Sequence, residues 1–176
     1  MTPPLLCERR AASSADRNVV TGRGNVVGAE LVRNPDVDKI SFTGSVGVGK
    51  SIMRDGAETM KRMTLELGGK SPTIVLDDAV LGQAIPSALV MAFMNSGQAC
   101  AAGTRLLVPQ SRLDAVRGAI LDAMPAFPAG DPADPKTAVG PMVSQSQYDR
   151  VQSYIRKGIE EGAEVLVGGE GAPERT

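Results

Sequence analysis

From Asn18 onward, short runs of β-branched and aliphatic residues alternate with stretches whose apolar positions recur at helical spacing. Asn18-Val19-Val20-Thr21 is expected to form a short strand, closed by Gly22-Arg23-Gly24. Asn25 reads as the cap of a helix to about Val32, and Asn34-Pro35 as its stop. Lys39-Ile40-Ser41-Phe42-Thr43 predicts a strand that turns at Gly44 into a helix ending near Ala57. Met63-Thr64-Leu65 and Thr73-Ile74-Val75-Leu76 predict two more strands, with Gly68-Gly69 turning between them. A helix over about 80–95, a strand at 104–108 and a helix over 113–123 follow. Pro86 conflicts with the first of these helices and is expected to kink it or shift its start. Pro125, Pro128, Pro132, Pro135 and Pro141 mark 125–143 as an extended surface segment. Ser144 then caps a charged amphipathic helix to about Glu161, and 164–167 reads as a final strand.

Strand–helix alternation of this kind predicts an α/β architecture with parallel strands and no internal repeat. Residues 1–17 carry no periodicity and are expected to be disordered. Both ends read as cut: the strands before Gly68 are too few for a complete doubly wound sheet, and the chain stops in a glycine-rich turn. The chain is therefore expected to be an internal piece of something larger.

Composition narrows the chemistry. An apolar fraction of 42% can build a core, yet aromatics are only 3% and tryptophan is absent, so packing rests on aliphatic residues and methionine. A net charge of -1 from 19 basic and 20 acidic residues gives no basic stripe for nucleic acid and no polybasic anchor for a membrane. No apolar run reaches membrane-spanning length, and the first ten residues lack the core of a secretory signal. Two cysteines, Cys7 in the tail and Cys100, make no disulfide framework, and a reducing cytoplasm is the expected setting. With no histidine, the usual zinc sites and every histidine-based catalytic dyad are excluded, and no metal site is expected.

Against that background Cys100 stands out. It lies in Asn95-Ser96-Gly97-Gln98-Ala99-Cys100-Ala101-Ala102-Gly103-Thr104-Arg105, where small neighbours leave the sulfur approachable. Glu66, in Leu65-Glu66-Leu67-Gly68-Gly69-Lys70-Ser71-Pro72, is a carboxylate set against glycines and, between two leucines, is expected to be partly buried. A thiol and a carboxylate in a histidine-free chain point to covalent catalysis with glutamate as the base. The bland readings are a packing cysteine and a solvated strand-end acid. Arg105 reads as tying the cysteine loop to its neighbours, Lys70 as orienting its own loop, and Lys50 as a surface helix residue.

A competing signal is Gly44-Ser45-Val46-Gly47-Val48-Gly49-Lys50-Ser51, which matches G-x-x-x-x-G-K-S after a predicted strand. With Ile74-Val75-Leu76-Asp77 as a magnesium-holding strand, it suggests a P-loop nucleotide triphosphatase. The two elements are close for an intervening helix and strand, and that reading has no use for Glu66 or Cys100. The shared physics is a glycine turn at a helix N-terminus, which suits any phosphate, including a dinucleotide's pyrophosphate.

Taken in order, these blocks resemble the NAD(P)-dependent aldehyde dehydrogenase superfamily over about residues 18–171. The blocks are Asn18–Gly22, Asp36–Ser45, Leu65–Pro72, Asn95–Cys100 and Val139–Ser144. The resemblance implies the end of a Rossmann-type cofactor domain over 18–69, followed by the start of an α/β catalytic domain over 70–176, with 1–17 unmatched. It implies that Cys100 attacks an aldehyde to give a thiohemiacetal, that hydride transfer to NAD or NADP leaves a thioester, and that Glu66 activates the hydrolytic water. The Cys100 N–H would be one oxyanion donor. Gly44 to Gly49, with Phe42, Thr43 and the Ser45 hydroxyl, would lie near the cofactor, Gly24 near its adenosine, and Leu67 and Gly68 near its nicotinamide. An acylating variant using coenzyme A is disfavoured because Glu66 supplies a hydrolytic base.

In the family, a second oxyanion donor and the adenine-ribose grip precede this stretch, and the glutamate for the nicotinamide ribose follows Thr176. The family is usually homo-oligomeric through strands that this chain also lacks. The chain alone is therefore expected to show little or no turnover. The alternative is a non-catalytic remnant that associates with a full-length homologue.

Overall fold

The structure, a computed structural model, describes residues 18–172. The expectation for 1–17, Cys7 included, lies outside them. The chain divides between Leu67 and Gly68 into two compact units, each described by itself.

In the first unit a single π-helical turn, Gly24–Gly28, runs into helix α1 (Ala29–Arg33). Asn25 is thus inside the turn rather than its cap, and Arg23 flanks it without a side-chain bond. Asn34 ends α1 as expected, its carboxamide accepting from the Asp36 amide at 2.9 Å. The buried Lys61 ammonium donates to the carbonyls of Asn34 and Val37, both at 2.5 Å, holding the chain that leaves α1. Asn18–Thr21 does not form the expected strand: none of the described residues pairs with it, and Val19 is 90% exposed.

Strand β1 (Lys39–Gly44) and strand β2 (Arg62–Leu67) pair in parallel, with Lys39 opposite Arg62 and Gly44 opposite Leu67. Helix α2 (Val46–Gly56) joins them through a short 3-10 segment, making a β–α–β unit. Two glycines set how closely α2 lies on the sheet. A Cβ on Gly49 would stand 2.8 Å from Leu67 Cδ2, and one on Gly56 would stand 2.3 Å from Met63 Cε. Leu67 and Met63 are four apart and so share one face of β2, while Gly49 and Gly56 are two turns apart on one face of α2.

In the second unit, strand β3 (Pro72–Ile74) pairs in parallel with strand β4 (Arg105–Leu107), Thr73 opposite Leu106. Helix α3 (Leu81–Phe93) and helix α4 (Leu113–Ala123) pack on this pair around Val75, Ile85, Leu89 and Val116. Phe93 and Phe127 close the core edge-on, with ring centroids 5.2 Å apart. Pro86 stays within α3 on its exposed side; Ser87 there bonds back to the Gln83 carbonyl at 2.8 Å. Arg112 spans from the start of α4 to the carbonyls of Leu76, Asp77 and Ala79 at 3.1, 2.8 and 2.9 Å.

The proline-rich stretch is exposed but ordered. Asp131 and Asp134 close turns on the amides of Ala133 and Lys136, and Ala129 bridges Val139. Ser144 caps helix α5 (Gln145–Glu160) as expected, accepting from the Gln147 amide at 3.2 Å. The strand expected at 164–167 is absent: no strand among the described residues pairs with it to complete a ladder. That segment is held by side chains instead: Gln152 brackets the Gly171 backbone, Arg117 pairs with Glu164, and Arg156 pairs with Glu170. The hydrogen bonds that Arg156 donates to Glu170, and then the charge of that carboxylate, raise the Arg156 pKa above its ordinary value.

Candidate functional site

Glu66 sits next to last on β2, with Thr43 as its cross-strand partner on β1. It is exposed, contrary to the partial burial expected from its two leucine neighbours. The reason is the strand period of two. Leu65 and Leu67 face α2, so the residue between them faces away. That open face, Arg62, Thr64 and Glu66 with Lys39, Ser41 and Thr43, is entirely polar.

β1 feeds α2 through Gly44 and Ser45. The Ser45 hydroxyl accepts from the Val48 amide at 3.3 Å, and the Ser45 carbonyl accepts from the Gly49 amide at 2.9 Å. Phe42 packs over Gly44, where a Cβ would meet its Cζ at 2.5 Å. Nothing lies within 4 Å of a Cβ built on Gly47 or on Gly24. The first-turn amides of Val46 and Gly47 have no intrahelical acceptor, as in any helix start. The turn thus presents N–H groups beside open space at the carboxyl end of a parallel pair.

The strand pairing gives the nucleotide triphosphatase alternative no support. Asp77 follows β3, which pairs with β4 in the second unit, whereas the neighbour of β1 is β2. The Asp77 backbone is occupied as an anchor for Arg112.

Cys100, the free cysteine among the described residues, is exposed. It occupies a turn closed by the Ala102 amide donating to the Ala99 carbonyl at 3.2 Å. Its own N–H donates to no acceptor among the described residues, as expected for the second position of such a turn. Gly103 follows, where a Cβ would meet Thr73 Oγ1 at 2.2 Å, and Thr73 Oγ1 donates to the Gly103 carbonyl at 3.2 Å. Arg105 Nε donates to the Lys70 carbonyl at 3.1 Å, the tie expected of it. Gly68, also in this unit, is exposed.

Ahead of the cysteine, three consecutive residues are left-handed: Asn95 (φ 51°), Ser96 (φ 59°) and Gly97 (φ 72°). That conformation costs about 1–2 kcal/mol for each non-glycine residue, though less for asparagine. It needs holding from outside. Ser96 Oγ donates to the Gly140 carbonyl at 2.9 Å, and the Val143 amide donates to Gln98 Oε1 at 2.9 Å. Residues 139–143 are therefore the external support of the cysteine loop. The sequence singled out both blocks but carried no signal of this link, because the contacts span about 45 residues. A cavity of about 450 Å³ lies between the two, lined in part by Phe93, Ser96, Gln98, Met142 and Val151. Among the described residues no cluster of three or more His, Cys, Asp or Glu could hold a metal, and no helix is long and apolar enough to cross a membrane.

Parallel pairing in both units, with a helix joining β1 to β2, makes this an α/β fold. The profile of the aldehyde dehydrogenase family matches residues 17–176, and the chain belongs to that family. A Staphylococcus saprophyticus protein named as an aldehyde dehydrogenase is 48% identical over 157 residues, covering 89% of this chain and 33% of the relative. The aldehyde dehydrogenase C of Pseudomonas syringae, solved as a cysteine-to-alanine mutant with NAD+ and octanal, superposes at a TM-score of 0.85. It is 41% identical, covering 88% of this chain and 32% of that one. The NAD+ complex of a Bacillus cereus aldehyde dehydrogenase gives a TM-score of 0.83 at 44% identity, covering 89% and 32%. The chain spans about a third of the length of the curated relatives it matches.

Proposed function

We propose that this chain carries the nucleophile and the base of an NAD(P)-dependent aldehyde dehydrogenase, in which an aldehyde is oxidised to a carboxylic acid. The observation that carries the reading is Cys100 itself: an exposed thiol in a tight turn, its own N–H without an acceptor among the described residues, in a member of this family. A Staphylococcus aureus betaine aldehyde dehydrogenase, 36% identical, was solved with NAD+ and a cysteine modified by BME, so a reactive thiol has a precedent among relatives.

The Cys100 thiolate attacks the aldehyde carbon, forming a C–S bond and moving the carbonyl electrons onto oxygen, where the Cys100 N–H donates. Bound nicotinamide would supply the hydride acceptor; the adduct carbon would lose its hydride as the C=O reforms, leaving a thioester on Cys100. Glu66 takes a proton from water; the water oxygen adds to the thioester carbonyl and expels the Cys100 thiolate, releasing the acid. The residues of the first unit fit the cofactor: Gly44, Ser45 and the start of α2 suit its pyrophosphate, and the open space at Gly24 suits its adenosine. Phe42, Thr43, Leu67 and Gly68 border the same strand ends, and Gly49 serves by letting Leu67 pack on α2. Residues 18–69 correspond in this reading to the end of the cofactor domain and 70–176 to the start of the catalytic domain. The setting is a reducing compartment such as the cytoplasm.

The test is NADH or NADPH formation by the purified chain over a panel of aldehydes. Slow formation is expected, well below ordinary turnover of roughly 1–1,000 per second, and lost in Cys100→Ser. In Glu66→Gln an acyl group should accumulate on Cys100, read by mass. Product formation unchanged in Cys100→Ser sinks the assignment. Because the chain spans a third of its relatives, a second reading is a non-catalytic partner of a full-length homologue. No product at all, together with co-purification of a full-length aldehyde dehydrogenase, selects it.

A further inference from the structure

Gln98 makes more bonds to the cysteine loop and its support than any other side chain there. Its Nε2 donates to the Asn95 carbonyl at 3.2 Å, to which its own N–H also donates at 3.1 Å. Its Oε1 accepts from the Val143 amide at 2.9 Å. One amide side chain therefore ties the first left-handed residue, Asn95, to the segment that supports the loop. Gln98 itself stands two residues before Cys100, at the entry to the Ala99–Ala102 turn.

The two non-glycine residues it closes, Asn95 and Ser96, are held in a conformation that they leave readily when unsupported. Ser96 provides a single bond to Gly140 on the same side. Without the Gln98 bridge, the Asn95 carbonyl keeps only a backbone partner, and the Val143 amide keeps none among the described residues. The chain from Asn95 to Gln98 is then free to unwind, and the turn that presents Cys100 moves with it.

We propose that Gln98 is a positioning residue for Cys100: its side-chain amide clamps the left-handed turn to residues 140–143 and so fixes where the thiol is presented. This rests on the reading of Cys100 as the nucleophile. Gln98 touches no reacting atom; it acts through the turn.

The experiment uses the full chain carrying Cys7→Ser, so that Cys100 is the sole thiol, and p-nitrophenyl acetate as the acyl probe. The thiolate attacks the ester carbonyl, the C–O bond breaks, and p-nitrophenolate is released and counted. The Cys100→Ser chain, whose sole thiol is Cys7, gives the rate of an ordinary cysteine. Acylation of Cys100 is expected to saturate. Gln98→Ala should lower the maximal rate by about 10- to 100-fold, the range of a misplacement of order 1 Å. The half-saturating ester concentration and the far-UV circular dichroism should not change. Gln98→Glu keeps an acceptor for Val143 but loses the donor to Asn95, and should fall between. Amide hydrogen exchange over 95–103 should quicken in the same order. A Gln98→Ala chain acylated at the parent maximal rate, or slowed only through half-saturation, overturns the proposal. Should Cys100 react no faster than Cys7, the nucleophile assignment fails. The clamp is then decided by exchange: unchanged exchange in Gln98→Ala overturns it too, and quickened exchange upholds it.

Discussion

Gly49→Ala sets two effects of similar size against each other on the helix beneath Glu66. Alanine is a better helix residue than glycine by roughly 0.5–1 kcal/mol, which favours the variant. Its Cβ, however, would stand 2.8 Å from Leu67 Cδ2 and 3.0 Å from Cδ1, well inside the ordinary carbon–carbon separation of about 3.5–4 Å. Leu67 is half-buried against α2 and ends the strand, so relief must come from moving it or the helix. Such overpacking costs about 1–3 kcal/mol, so the net effect in α2 runs from about zero to a loss of about 2.5 kcal/mol. Gly47→Ala is the control: nothing lies within 4 Å of its Cβ, and it should stabilise by about 0.5–1 kcal/mol. In a Leu67→Ala background the clash disappears, and Gly49→Ala should revert to stabilising, a coupling of about 1–3 kcal/mol. Two compact units make a single unfolding midpoint ill-defined. The measurement is therefore hydrogen exchange of α2 amides in each variant. If Gly49→Ala protects α2 as much as Gly47→Ala, the close approach of α2 to Leu67 is refuted.

Ser45→Ala removes the hydroxyl that accepts from Val48 and should weaken α2 by about 1 kcal/mol, seen as faster exchange confined to its first turn. Ile85→Ala empties the centre of the second unit, where Ile85 is 0% exposed, and should cost about 2–5 kcal/mol by urea titration of that unit, while exchange in α2 stays unchanged. Arg112→Met keeps an apolar stem but withdraws donors from three carbonyls; a loss of about 1–3 kcal/mol is expected, with exchange rising first at residues 76–81.

What the sequence showed and what it hid divide along physical lines. Helices α2, α4 and α5 fall where their periods placed them, and Ser144 acts as the expected cap within the first turn of α5. The strands at 18–21 and 164–167 failed, since β-propensity records only fitness for a ladder and no strand among the described residues pairs with either segment. Asn25 failed as a cap because the chain enters α1 through a π-helical turn that contains it. The exposure of Glu66 was legible in principle: two leucines flanking it on a strand place it on the opposite face. The link between the cysteine loop and residues 140–143 was not legible, because hydrogen bonds over such separations leave no local pattern.

Glu66 and Cys100, the proposed base and nucleophile, are held by opposite means. Glu66 rides on a regular strand whose register is fixed by six residue pairs with β1 and whose other face is pinned to α2 at Met63 and Leu67. Its place therefore follows from the strand period and needs no dedicated tether. Cys100 has no such frame: it follows a left-handed run that its own sequence disfavours and precedes a strand only three residues long. A thiol in that position is only as well placed as the side chains that hold the loop, namely Ser96 and Gln98 before it and Thr73 and Arg105 after it. Substitutions at those four positions should consequently alter the reactivity of Cys100 more than the stability of the unit. Substitutions around Glu66 should act first through the folding of α2 and β2. Glu66 is secured by secondary structure and Cys100 by side chains, so loss of thiol reactivity at unchanged helix content is the signature that separates the two.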